Sequence, residues 1–252
     1  MRVFLTGASS GIGEALARRY GAQGAILGLV ARRAHRLESL RACLPPGALA
    51  YAADVRDLHA MQAAAADFIA RHGLPDLVIA NAGLSHGTLT ECADDSEVFR
   101  RILDTNVVGM VNTFQPFVAP MREAGRGALV GIASVAGFRG LPGAGAYSAS
   151  KAAAIRYLES LRVELHGTGV RVTTVCPGYI ATPMTEKNPY PMPFIITAGE
   201  FARRFDRAVA SGPRTVVIPW QMAIAGVLLR LMPGAIFDRL FAKAKRKPRL
   251  AP

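Results

Sequence analysis

The sequence predicts an α/β fold of three layers: a mostly or wholly parallel, doubly wound sheet of about seven strands with helices on both faces. Two observations point there. Apolar runs of strand length alternate with longer segments of helical period. The strand runs are apolar at consecutive positions rather than at every second one, the mark of strands covered on both faces. No linker rich in Pro, Gly or Ser divides the first 180 residues, so 1–252 reads as a single domain.

The order begins with a strand at Val3–Thr6, a helical pattern over Glu14–Gln23, a strand at Ala25–Val30 and a second helix over Ala34–Leu44. It continues as a strand at Leu49–Ala52, a helix at Met61–Arg71, a strand at Leu77–Ala80 and one long helical pattern from about Val98 to Arg122. Then come Ala128–Ala133 as strand, Ala149–His166 as helix and Val170–Cys176 as strand. Beyond Pro177 the character changes. Residues 182–199 hold four Pro and several exposed-type apolar residues, and a lid is expected over 182–212. A last strand follows at Thr215–Ile218. Trp220–Leu231 and Ala235–Ala242 then form apolar helices parted by Pro233-Gly234, ahead of a basic tail.

Composition removes several function classes. With 51% apolar and 19% charged residues, disorder is excluded as the main state. The longest stretch without Asp, Glu, Lys or Arg, Thr105–Met121, contains two Asn, a Gln and two Pro, so it is no bilayer span. The opening MRVFLTG has no apolar leader pattern, and a cytoplasmic location is expected. Cys43, Cys92 and Cys176 lack metal or disulfide spacing and read as reduced, mostly buried thiols; no metal site is expected. Of the net charge of +12, five charges fall within 243–249, leaving +7 for the rest. That tail reads first as solvated and frayed, with an anionic lipid surface as the rival. The apolar helices over Trp220–Ala242 read first as subunit contact or core cover, with peripheral membrane contact of 220–252 as the rival; no nucleic-acid-binding motif accompanies the tail.

The first turn carries chemistry. Thr6-Gly7-Ala8-Ser9-Ser10-Gly11-Ile12-Gly13 leaves a strand and opens a helix. Gly7, Gly11 and Gly13 permit a tight turn and close approach of a pyrophosphate. Ser9, Ser10 and Ile12 lie in the same turn, where the helix start offers free N–H groups. After the second strand stand Arg32 and Arg33 where a ribose-binding carboxylate would otherwise sit, which favours a 2′-phosphate and hence NADP(H) over NAD(H). Asp54, with Val55 beside it, follows the third strand and can reach an adenine amino group. Asn81-Ala82-Gly83 follows the fourth strand and lets backbone run against the cofactor.

Tyr147 and Lys151, four apart on a helical segment, share a face. Ser134 lies just past the fifth strand, and Asn106 falls within the preceding long helix. With the glycine turn, Pro177-Gly178 and Thr182, this order of residues resembles the short-chain dehydrogenase/reductase family over residues 3 to about 183. The one departure is Ala80, where many members carry a second Asn before Asn81. The resemblance implies a Rossmann-like fold and a proton relay. Tyr147 would act as general acid in ketone reduction or base in alcohol oxidation. Lys151 would lower the Tyr147 pKa and bind the nicotinamide ribose. Ser134 would hold the substrate oxygen, and the Asn106 main-chain carbonyl would hold a relay water. Pro177, Gly178 and Thr182, with Ile180 between them, would meet the nicotinamide end, and the assembly would be a homodimer or homotetramer.

The sequence therefore reads as an NADPH-dependent reductase of a ketone or aldehyde. NAD-linked alcohol oxidation and an idle dinucleotide-binding scaffold are the alternatives. The apolar lid residues Met184, Tyr190, Met192 and Phe194, with His86 after the fourth strand, suggest an apolar or lipid-like substrate.

Overall fold

The computed structural model describes residues 1–249. Strands β1 (Arg2–Thr6), β2 (Ile26–Ala31) and β3 (Leu49–Ala52) alternate with helices α1 (Gly11–Gly21), α2 (Ala34–Ala42) and α3 (Leu58–His72). The second half runs β4 (Leu77–Ala80), α4 (Asp95–Leu103), α5 (Gly109–Glu123), β5 (Gly127–Ile132), α6 (Gly145–Glu164) and β6 (Val170–Pro177). The last part holds β7 (Ile180–Ala181), β8 (Ile196–Thr197), α7 (Ala198–Ala210), β9 (Thr215–Ile218), α8 (Gln221–Leu231) and α9 (Gly234–Phe241).

Seven strands form one sheet in the order β3-β2-β1-β4-β5-β6-β9, every neighbouring pair parallel. The chain starts at the centre, winds outward to β3, then returns to β4 and winds the other way. The reversal between β1 and β4 opens a crevice at the carboxyl ends of these strands, the place where open α/β sheets bind ligands. One face of the sheet packs Leu16, Leu37, Phe201 and Phe205 from α1, α2 and α7; the other packs Phe68, Phe114 and Leu158 from α3, α5 and α6. Phe4 stands between Phe68 and Phe117 with ring centres 5.6 and 4.9 Å away. Burial of each such ring stabilises the fold by about 1.5–3 kcal/mol. Gly28 on β2 makes room for this cluster, since a Cβ there would lie 2.6 Å from the Phe68 ring.

Three expectations are corrected and one is refined. The long helical pattern expected over Val98–Arg122 is unbroken, with a π turn at Asp104–Val108 between α4 and α5, a local widening often found at functional positions. The expected lid over 182–212 is irregular only in its first part. Ala198–Ala210 is helix α7, capped by the Thr197 hydroxyl accepting from the Glu200 N–H at 3.2 Å, with Phe201 and Phe205 fully buried. The thiols are not mostly buried: Cys43 is exposed and Cys176 is enclosed. Finally, the tail is not frayed through residue 249. The Gly87 N–H donates to the Pro248 carbonyl at 2.9 Å, and Arg249 Nε lies 2.7 Å from the buried Asp95 carboxylate. A carboxylate withdrawn from water needs a cation, and Arg249 supplies it.

Among the described residues no helix is long and apolar enough to cross a membrane. Trp220, Ile224, Leu228, Leu231, Ile236 and Leu240 nevertheless leave a broad apolar face exposed along α8 and α9.

Candidate active site

A cleft of about 360 Å³ occupies the crevice at the β1–β4 reversal. Gly7 and Gly11 turn the chain at φ +69° and +59°, a region that favours glycine. A Cβ on Gly7 would meet the Ala82 Cα at 2.8 Å, and one on Gly13 would overlap the Gly7 carbonyl. Asn81 Nδ2 donates to the Thr6 and Gly7 carbonyls at 3.1 and 3.2 Å, while the Thr6 hydroxyl accepts the N–H groups of Asn81 and Ala82. Two strand ends are thereby fastened to the turn. Ser10 stands extended before α1 without a side-chain capping bond, so the first turn of the helix presents N–H groups to the cleft.

Arg33 lies across this turn, its Nη2 donating to Ser9 Oγ at 3.0 Å and Ser10 Oγ at 2.8 Å. Burial and the neighbouring Arg36 and Arg32 charges pull its pKa down, the electrostatic signature of a cation that gains from an anion. Arg32 sits 4.0 Å from Asp54, whose carboxylate is held chiefly by Arg56, with Arg56 Nη2 at 2.7 Å. Burial would raise the Asp54 carboxyl, but the bonds from Arg56 and the charge of Arg32 carry it below its ordinary value. Val55 and the half-buried Ile12 complete this end of the lining. A dinucleotide fits these residues: the glycines leave a cradle that a Cβ would fill, and Thr105, on the wall, has a buried hydroxyl without a partner among the described residues.

At the other end Ser134, Tyr147 and Lys151 line the same cleft. Ser134 caps a short 3₁₀ turn, accepting from the Ala136 N–H at 3.1 Å and donating to the Pro177 carbonyl at 3.4 Å. Lys151 is buried, its Nζ donating to the Ile132 carbonyl at 2.8 Å and standing 5.8 Å from the Tyr147 ring centre. Burial lowers its pKa to about 8, partly offset by Cys176. Burial pushes the Tyr147 phenol above its ordinary value, with contact to Ser134 opposing and Cys176 adding to the rise. The Lys151 ammonium is turned toward the Ile132 carbonyl. Asn106 sits fully buried on the π turn. Its Oδ1 accepts the Leu84 N–H at 2.7 Å, and its Nδ2 donates to the Leu84 carbonyl and Ser150 Oγ at 3.0 and 2.9 Å. The side chain thus ties α6 to the loop after β4.

Pro177, Gly178, Ile180 and Thr182 close the wall, with Thr182 3.2 Å from where a Gly11 Cβ would stand. Gly83 backs onto Lys151 and Asn106. Of the expected substrate residues, Met184 lines the cleft, whereas His86, Tyr190, Met192 and Phe194 are not in its wall. Tyr190 is half-buried, its ring 6.4 Å from Tyr179, and burial, ahead of Tyr179 and Tyr147, pushes its phenol up to about 12. Met192 is occupied as acceptor for Asn188 at 3.5 Å. Phe194 is a correction: it is exposed at φ +58° and absent from the lining. His86 is half-buried, its pKa pushed down by burial and by the charges of Lys247 and Arg101.

The family model of the short chain dehydrogenases matches residues 1–191. The chain belongs to this family. An uncharacterized oxidoreductase of Myxococcus xanthus is 38% identical over 241 residues, 93% of each chain. A 3-ketoacyl-(acyl-carrier-protein) reductase from Brucella melitensis complexed with NADH superposes with TM-score 0.79 at 25% identity, covering 86% of this chain and 96% of that one. A single-site variant of actinorhodin polyketide ketoreductase with NADPH gives 0.77 at 27% identity, covering 92% and 97%. This short-chain dehydrogenase is thus an oxidoreductase with a seven-stranded, all-parallel sheet.

Sequence reasoning missed Leu84, Thr105 and Thr185 in the lining, and above all Lys247, which bonds Ser85 and stands 5.9 Å from the Tyr147 ring centre. The first three carry no motif. Lys247 was hidden in a charge run, where a half-buried lysine looks like its solvated neighbours.

Proposed function

We propose that this dehydrogenase reduces a ketone or aldehyde with NADPH, Tyr147 acting as general acid. The observation that carries this reading is geometric: Ser134, Tyr147 and Lys151 line one end of the cleft whose other end is the glycine turn, and the Tyr147 phenol, its pKa raised by burial, has a proton to give. Preference for NADPH is supported by Arg33, whose guanidinium lies over the helix start on Ser9 and Ser10, ready for a doubly charged phosphate. Bound there, the dinucleotide supplies the hydride for the carbonyl carbon.

The chain's own residues supply the rest. Tyr147 gives its proton to the carbonyl oxygen as negative charge develops, and Ser134 donates a hydrogen bond to the same oxygen. Lys151, with an ammonium that loses its proton near pH 8, replenishes the phenol through solvent reached along the cleft. Asn106 is a positioning residue that holds the loop after β4 against α6. Residues 182–185 form part of the cleft wall, with Met184 among them and still partly open to solvent. The exposed apolar face of α8 and α9 suits contact with a second copy of the chain, tested by the mass of the protein in solution; co-sedimentation with vesicles would instead mark a membrane face.

The decisive experiment is NADPH and NADH titration followed by a ketone and aldehyde panel read as NADPH consumption. NADPH binding at least tenfold tighter, with turnover of one carbonyl class, is expected. Tighter NADH binding overturns the role of Arg33, and no turnover overturns the reductase reading.

A further inference from the structure

The tail places a second lysine at the catalytic end of the cleft. Lys247 Nζ lies 5.9 Å from the Tyr147 ring centre, against 5.8 Å for Lys151. It donates to Ser85 Oγ at 2.8 Å and reaches the Met184 carbonyl at 3.5 Å. Ser85 is buried and Met184 lines the cleft. The position is built. The Arg246 side chain packs where a Cβ on Gly143 would lie 2.8 Å away, and a Cβ on Gly87 would overlap the Lys247 carbonyl. The Gly87 N–H binds the Pro248 carbonyl, and Arg249 is anchored on Asp95.

Arg249 thus has a carboxylate, whereas Lys247 has none within ion-pair distance among the described residues. An ammonium half-withdrawn from water with only neutral partners is costly, and burial pulls this one down to about 8. The adjoining wall adds no negative charge: His86 feels the positive charges of Lys247 and Arg101. An anion brought beside Lys247 would offset that cost and use its remaining donor positions.

We propose that Lys247 and Ser85 form a subsite for an anionic group of the substrate, so that the carbonyl compound reduced here carries a carboxylate or sulfonate a few atoms from its carbonyl. This rests on the reductase reading and narrows the apolar substrate expected from the lid. The carbonyl carbon gains a hydride from NADPH, its oxygen gains the Tyr147 proton, and the anionic group passes through unchanged.

The test uses 3-oxobutanoate, 4-oxopentanoate and 5-oxohexanoate, their methyl esters, and the oxosulfonate matching the best length. The wild-type enzyme should favour acid over ester at least tenfold in kcat/KM at one length. Lys247→Met should bring that ratio toward one, and Lys247→Arg should keep most of it. Calorimetric binding of the same compounds to the NADP⁺-loaded enzyme gives a readout independent of turnover. The sulfonate arm shows which anion the subsite takes. Acid binding that depends on Lys247 without any turnover supports the subsite and sinks the reductase reading. Ester reduction with no acid preference at any length sinks the subsite and leaves the reductase reading standing. Equal losses on acid and ester in Lys247→Met also overturn the subsite. Faster turnover of every substrate after deletion of 244–252 would make the tail a plug and overturn it too.

Discussion

Two cations rest on serine hydroxyls, one in the wall of the cleft at the glycine turn and one beside Tyr147. Arg33 donates to Ser9 and Ser10 at 3.0 and 2.8 Å, and Lys247 to Ser85 at 2.8 Å. The first arrangement is local: one strand, its turn and the next strand put it together, with Thr6 paired to Val30 in register. The second joins residues 162 positions apart and depends on a tail laid over the body and pinned by Arg249 on Asp95. A site made by neighbouring strands inherits their register. A site made by a long closure must be held by contacts strong enough to offset the freedom of the chain. The two sites therefore respond differently to mutation, and this can be measured.

The largest expected effect is at the local site. Gly13→Val, which sets side-chain atoms against the Gly7 carbonyl, should weaken NADPH binding at least ~100-fold, read by fluorescence titration, with circular dichroism reporting whether the sheet survives. Unchanged affinity would mean that the turn is not the binding element. Next, Arg33→Gln should cost ~10–100-fold in NADPH affinity and much less in NADH affinity, the range expected for one or two lost hydrogen bonds to a charged group. Equal losses for both dinucleotides would break the contrast.

At the other site, the acid-over-ester ratio in kcat/KM should fall about tenfold between pH 7 and 9. The sign follows from the lowered Lys247 pKa: its ammonium is present below about 8 and lost above it. Lys151 titrates in the same window but serves both substrates, so it cancels in the ratio. Tyr147 and His86 stay neutral there, the phenol raised and the imidazole lowered by burial. A ratio flat across this range would remove Lys247 from substrate binding. The smallest effect is expected for Arg249→Gln, which loosens the tail: a few-fold drop in the same ratio with NADPH affinity unmoved.

What could be read from the sequence follows the same division. The six strands through β6, the glycine turn and the spacing of Tyr147 and Lys151 were legible because each is a local pattern, and the fold brings them to one cleft. Helix α7 was hidden behind a proline-rich stretch, although Thr197 and Glu200 form a capping pair and Phe201, Phe205 and Val209 recur at helical spacing. The π turn at Asn106 has no comparable signature: its side chain is placed by Leu84 and Ser150, both remote in sequence. Phe194 was misplaced because apolar character alone does not say which way a loop side chain points. The burial that raises the Tyr147 phenol was not legible because i,i+4 spacing gives a shared face but neither the depth of the ring nor the Ile132 carbonyl to which the Lys151 ammonium turns.

The central claim is that the Tyr147 phenol delivers the proton. It is tested most directly by Tyr147→Phe assayed for NADPH-dependent carbonyl reduction alongside NADPH binding. Loss of about 10²–10⁴-fold in kcat with binding retained is the predicted result. Turnover within a few-fold of the wild type would contradict it.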